Sequence, residues 1–304
     1  MEPLIPERPL RISEMFVATY LYLRRNLAAT IGVGALLATV TSAISGIVVN
    51  GMLLGQNQGS ALDRLIAGET LTAVEAQRLT QQVTDAAPLL ALAFAVSMLV
   101  QLAAMGIMTL GMVDVLRGER PTPASLWRRT PWRRIVGVNI AIVVMELVAS
   151  ALPVALAFMI GGAVGLAALG LAAIVAVSVA VFTALAVPAA VMHDLGVRAA
   201  LTRSIAVNRH GALRTAWALL LTVVVWQMLG GFLGNPIGVL AGIAAGGPSS
   251  STGSALTSLV ASIVSGAISL PAIAGMTTII YVDRLRRSGM SDGGTLSAPP
   301  SVDQ

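Results

Sequence analysis

Glu146 is the residue whose chemistry asks first for an explanation. It lies about twelve residues into the apolar run 134–159, which puts it near the midplane of a bilayer. A charged side chain at that depth costs about 2.5–3.5 kcal/mol on insertion scales. No arginine lies at matching depth in any apolar run of the chain. Asn139 and Ser150, seven and four residues away, share its helical face. One reading is a carboxylate that couples protons or binds a cation. The other is a neutral, protonated acid hydrogen-bonded inside the bundle to Gln101, Gln227 or a backbone carbonyl.

Little else suits catalysis. The chain has no cysteine, so disulfides, thiolate metal sites and cysteine nucleophiles are excluded. HExxH, the phosphate-binding GxxxxGK[ST] and the GxSxG elbow are absent. The two histidines, His193 and His210, fall beside expected membrane edges and read as solvated or headgroup-facing residues, not metal ligands. We therefore expect no enzyme, no metal and no cofactor.

Gly230, Gly234, Gly238 and Gly242 recur every fourth residue, a stripe that lets two helix backbones approach closely. Asn235-Pro236 lies inside the stripe, and proline cannot donate to the helical ladder. The same stretch is thus open to a second reading, a broken helix that binds something at its break.

These residues need a membrane to hold them. Of 304 residues, 56% are hydrophobic and 11% charged, against about 25% charged in soluble domains. Mean hydropathy is +0.84. Six apolar runs are long enough to cross about 30 Å of hydrocarbon: roughly 27–50, 87–113, 134–159, 164–192, 215–243 and 255–282. No cleavable signal peptide is visible, so targeting is expected to rest on the first span.

All 19 basic residues are arginine. Seventeen fall on one side of the six spans, and only Arg64 and Arg78 on the other. By the positive-inside rule the rich side is cytoplasmic, with both termini there. A sequence pI of 10.9 then reflects membrane flanks, and a nucleic-acid partner is not expected. The arginine-rich side carries three amphipathic segments. Residues 12–25 place Met15, Phe16, Thr19, Tyr20 and Leu23 on one face. Thr122-Pro123 and Thr130-Pro131 each read as an N-cap followed by proline. Residues 194–209 align Val197, Leu201 and Ile205. Arg24, Arg25, Arg128, Arg129, Arg133 and Arg134, with Trp127 and Trp132, are the candidates for lipid headgroups.

The even spans end alike, in Met112-Val113-Asp114, Met192-His193-Asp194 and Tyr281-Val282-Asp283, which suggests three repeats of amphipathic helix plus hairpin. On the other side, the loop 51–86 is net negative by two. There Thr72 and Glu75 suggest a capping box for a helix that runs into the second span near Pro88. Residues 288–304, rich in Gly, Ser and Pro, read as a disordered tail after a single membrane domain, 1–287.

Three separated stretches resemble an actinobacterial family of six-span proteins, similar to the membrane domain attached to some glycerophosphoryl diester phosphodiesterases. They are Ile5-Pro6-Glu7-Arg8-Pro9-Leu10 with Ser13-Glu14 and Arg24-Arg25-Asn26; Val187-Pro188-Ala189 with Ala200, Arg203 and Ser204; and Tyr281-Val282-Asp283-Arg284. The resemblance implies the six-span topology. The phosphodiesterase chemistry belongs to a separate soluble domain that these residues do not include, so no catalytic residue carries over. The expectation is an all-α integral protein of a bacterial plasma membrane. Its leading role is an accessory or scaffold protein whose basic inner face meets anionic lipid or a partner protein; the rival is a small transporter using Glu146.

Overall fold

The structure, a computed structural model, describes residues 8–49, 72–160, 162–209, 211–247 and 251–289. Among these residues every regular element is a helix: α1 Ile12–Arg25, α2 Leu27–Val49, α3 Ala73–Leu116, α4 Pro123–Arg129, α5 Trp132–Ile160, α6 Gly162–Thr183, α7 Ala186–Met192, α8 Val197–Asn208, α9 Ala212–Ala244 and α10 Ser251–Arg287. Most of the expected loop (51–71), Gly161, His210 and most of the expected tail (290–304) lie outside the described residues.

Four stretches are long and apolar enough to cross a membrane: Ala95–Leu116, Gly170–Met192, Ala212–Ala244 and Thr252–Arg287. The pair Ile12–Arg25 and Thr30–Ala43, bent by 91°, makes a fifth if it is counted as one span. These are the helices of a multi-pass membrane protein. By length and composition alone, the count among the described residues is four or five, where the apolar runs gave six.

Local sequence explains where the helices stop and bend. Thr122 caps α4, its Oγ1 accepting the Ser125 N–H at 3.2 Å, with Pro123 in the first turn. Thr130 differs from expectation. Its hydroxyl donates back to Leu126 O at 2.6 Å, so it ends α4 and does not open α5. The expected fourth span is interrupted at Ala184-Leu185. Pro188 accounts for the break, since it has no N–H to donate and its ring crowds the carbonyl of Ala184, four residues back. Pro88, Pro236 and Pro271, by contrast, sit within continuous helices. The outer helix expected near Thr72 is thus the first part of α3, whose 44 residues extend about 66 Å.

Helix α10 is the axis of the bundle, packing on α9, α2, α3 and α1. Small residues make this possible. Gly230, Gly234, Gly238 and Gly242 are all buried against it. A methyl group at Gly230 or Gly234 would lie 2.6 Å from Ser265 Oγ or Ala261 O. On the other flank, a methyl group at Gly34 would lie 2.8 Å from Ala267 O. The glycine stripe is a packing seam, and α9 runs unbroken through Asn235-Pro236, so the broken-helix reading is not realised.

The main core gathers toward the arginine-rich ends of the helices, around Met15, Tyr22, Met112, Met276, Tyr281 and Leu285. Away from it, α9 turns Met228, Phe232 and Leu240 outward. Apolar surface of that kind is what a bilayer covers.

Candidate functional site

The arginine-rich ends are joined by ion pairs and hydrogen bonds that begin at the backbone of Leu10. Its N–H donates to Asp283 Oδ1 at 2.7 Å. Its carbonyl accepts from Arg214 at 2.6 Å and from Arg287 at 3.0 Å. Asp283, 1% exposed, also takes the Arg287 Nε at 2.8 Å. Residues ahead of α1 are thereby held to the ends of α9 and α10. In the first turn of α1, Glu14 caps the helix by accepting the Arg11 N–H at 2.8 Å and pairing with Arg8 at 2.5 Å. The Arg8 hydrogen bond first, and the Arg11 N–H second, hold the Glu14 carboxyl below the usual carboxylate range.

A second chain of bonds starts at Arg284, which donates to Thr215 Oγ1 at 3.0 Å and to Gly211 O. Thr215 donates to Asn208 Oδ1 at 2.9 Å, and Asn208 donates to Val181 O at 3.0 Å. Ser204 donates to Phe182 O at 2.6 Å. The carbonyls of Val181 and Phe182 lose helical partners because α6 ends at Thr183, and α8 supplies the replacements. Helix α8 buries Ala200, Ser204, Val207 and Asn208 and half-buries Val197 and Leu201, while Ile205 is exposed. Helix α1 buries Met15, Thr19 and Leu23 of its expected face together with Ala18 and Tyr22, and leaves Tyr20 exposed.

The third cluster lies at α4. Asp114 is fully buried and takes both terminal nitrogens of Arg129 at 3.0 Å, a bidentate pair. Arg134 pairs with Asp194. All three aspartates at the expected repeat ends therefore meet arginine, yet Asp194 is exposed where Asp114 and Asp283 are buried.

This divides the candidate headgroup residues. Arg129 and Arg134 are engaged with aspartates. Arg24, Arg25, Arg128 and Arg133 are exposed and make no ion pair among the described residues. Trp127 and Trp132 meet edge to face at 4.7 Å, and Trp132 Nε1 donates to Trp127 O at 3.2 Å. Half of the Trp127 surface stays open.

Of the three intramembrane candidates, Asn139 and Glu146 are not joined by a hydrogen bond. Glu146 is half-buried on α5 among exposed Met145, Leu147 and Val148. Asn139 is fully buried, and neither of its side-chain polar atoms has a hydrogen-bond partner. The side chain of Ser150 lies outside the described residues. Gln101 and Gln227, the expected partners of Glu146, instead line a cavity of about 980 Å³ between α2, α3, α9 and α10, and Glu146 is not among its lining residues. Ser258, Ser262, Ser265 and Ser269 also line it. Their spacing of three and four residues is a helical stripe visible in the sequence, and it was the signal that could have revealed this wall.

Among the described residues no group of three or more His, Asp or Glu could hold a metal ion. The fold and this geometry define a class, a multi-pass helical membrane protein with a cross-linked basic end. No protein family, curated protein or solved structure matches the chain.

Proposed function

We propose that the chain is a non-enzymatic scaffold protein of a bacterial plasma membrane, with six spans, both termini cytoplasmic, and a basic inner face that binds anionic lipid. The observation that carries this reading is the division of charge at the basic end. Its buried acids are consumed by Arg129, Arg214 and Arg287, while Arg24 and Arg25 stay exposed and so do Arg128 and Arg133, which adjoin the Trp127–Trp132 pair in sequence. An arginine near an anionic bilayer surface contributes about 1 kcal/mol, and interfacial tryptophan sets the depth at which it acts. The ion pairs and hydrogen bonds tie the residues ahead of α1 to the ends of α9 and α10, and α4 to the end of α3.

The rival reading, a transporter built on Glu146, needs a water-accessible cavity at that residue. The cavity described above is lined, among the described residues, by other helices, and it gives the Glu146 reading no support.

The test is lipid retention by the purified protein in native mass spectrometry. Replacing Arg24, Arg25, Arg128 and Arg133 together with Gln should lower retention of phosphatidylglycerol at least tenfold and leave phosphatidylcholine unchanged. Unchanged phosphatidylglycerol retention would count against a lipid-facing role.

A further inference from the structure

A scaffold has no use for the cavity between α2, α3, α9 and α10, and its lining has a definite chemistry. The hydroxyls on its wall donate to their own helices: Thr39 to Ala35 O at 2.8 Å, Ser258 to Ser254 O at 3.1 Å and Ser269 to Ser265 O at 2.8 Å. Ser42 and Ser262 sit 2.8 Å apart, joining α2 to α10, and Ser262 donates to Leu259 O. A hydroxyl whose proton is used in this way keeps its lone pairs, so the wall offers acceptors.

Gln101 and Gln227 add both donors and acceptors. Each lies about four turns from the arginine-rich end of its helix, and neither makes a hydrogen bond among the described residues. An unpartnered carboxamide facing hydrocarbon costs several kcal/mol, which requires polar matter in this volume. Among the described residues no charged side chain lines the cavity. An ionic ligand would lose its hydration there without a counter-charge. Leu256, Leu259, Leu270 and Ile273 supply an apolar remainder. The volume of about 980 Å³ is in the range of small-molecule sites.

We propose that this cavity binds an uncharged lipid whose headgroup carries hydroxyl groups. The headgroup hydroxyls donate to the serine and threonine oxygens and bond the carboxamides of Gln101 and Gln227, while the hydrocarbon chain follows the leucine side. Acceptors on the wall select a donor, and the lack of charge among the described lining residues selects a neutral one.

The experiment uses the full chain and four probes with one hydrocarbon chain length: monooleoylglycerol, methyl oleate, oleic acid and oleylamine. Native mass spectrometry should show saturable retention of monooleoylglycerol, at least tenfold above the other three. Gln101→Met and Gln227→Met, close in shape but without the amide, should each weaken retention about tenfold, the effect of one hydrogen bond. Thermal melting in the same detergent checks that the variants fold. Should either fail to fold, Ser258→Ala at an exposed helix position removes one acceptor and should weaken retention several-fold. Equal retention of methyl oleate would make the cavity a plain apolar groove, and preference for oleylamine or oleate would make it an ion site. Either result overturns the proposal, as does unchanged retention in the variants. The quadruple arginine variant should retain monooleoylglycerol normally, which separates this proposal from the scaffold reading.

Discussion

Asp114 and Arg129 show how little a residue's type says about its role until its partner is known. Arg128 and Arg129 are adjacent and belong to one basic cluster in the sequence, yet only Arg129 reaches the buried carboxylate. Removing one partner of a buried pair leaves a charge without compensation, and Arg129 is itself 45% exposed, which screens part of the cost. Arg129→Gln should therefore lower stability by about 2 kcal/mol, and Arg128→Gln should change it by less than about 0.5 kcal/mol. Thermal melts of the two variants in detergent decide the point; equal effects would mean the pair contributes nothing to the fold. Glu14 gives a pH prediction. Its carboxyl is held below the ordinary carboxylate range, first by the Arg8 hydrogen bond, so its contribution is present above that range. The contribution is lost as pH falls through the folded value. Amide exchange in the first turn of α1 should accelerate on acidification in the native chain, and Glu14→Gln should flatten that dependence.

At the scale of elements, the packing of α9 on α10 has a sharp test because two neighbouring glycines differ in what surrounds them. Gly234 has Ala261 O where a methyl would go, whereas nothing lies within 4 Å of Gly231. Gly234→Ala should force the helices apart and cost about 1–3 kcal/mol. Gly231→Ala should be neutral or stabilise by up to about 1 kcal/mol through helix propensity. Unfolding of the purified variants measures both, and a silent Gly234→Ala would mean that the seam gives way easily. Here the sequence was informative: the four-residue glycine period marks the face that packs, and residues 12–25 form a helix over the span their pattern suggests. The break at Ala184-Leu185 was harder to see, because Pro188 interrupts its helix while Pro236 and Pro271 do not. Proline alone does not decide between a kink and a stop. The buried face of α8 has a different origin. Ser204 and Asn208 are buried where they cap the carbonyls of α6, a tertiary need that hydrophobic periodicity does not report. The pairing of Asp283 with Leu10 crosses nearly the whole chain, and no local pattern encodes it.

For the whole molecule, the consequence is a division of labour along the helices. Ion pairs, capped carbonyls and the main core concentrate at the arginine-rich end, where α1, α4 and α8 meet the ends of the long helices. The cavity lies farther along α9 and α10. We propose, from the arginine distribution, that this firm end faces the cytoplasm, and its sidedness is the central claim. The chain has no cysteine, so single cysteines can be placed without background. Thr72, just before α3, and Thr122, at the cap of α4, are both exposed and lie beyond opposite ends of α3. In intact cells a membrane-impermeant maleimide should label Thr72→Cys and spare Thr122→Cys, which should react only after permeabilisation. Labelling of both positions from the same side would contradict the account.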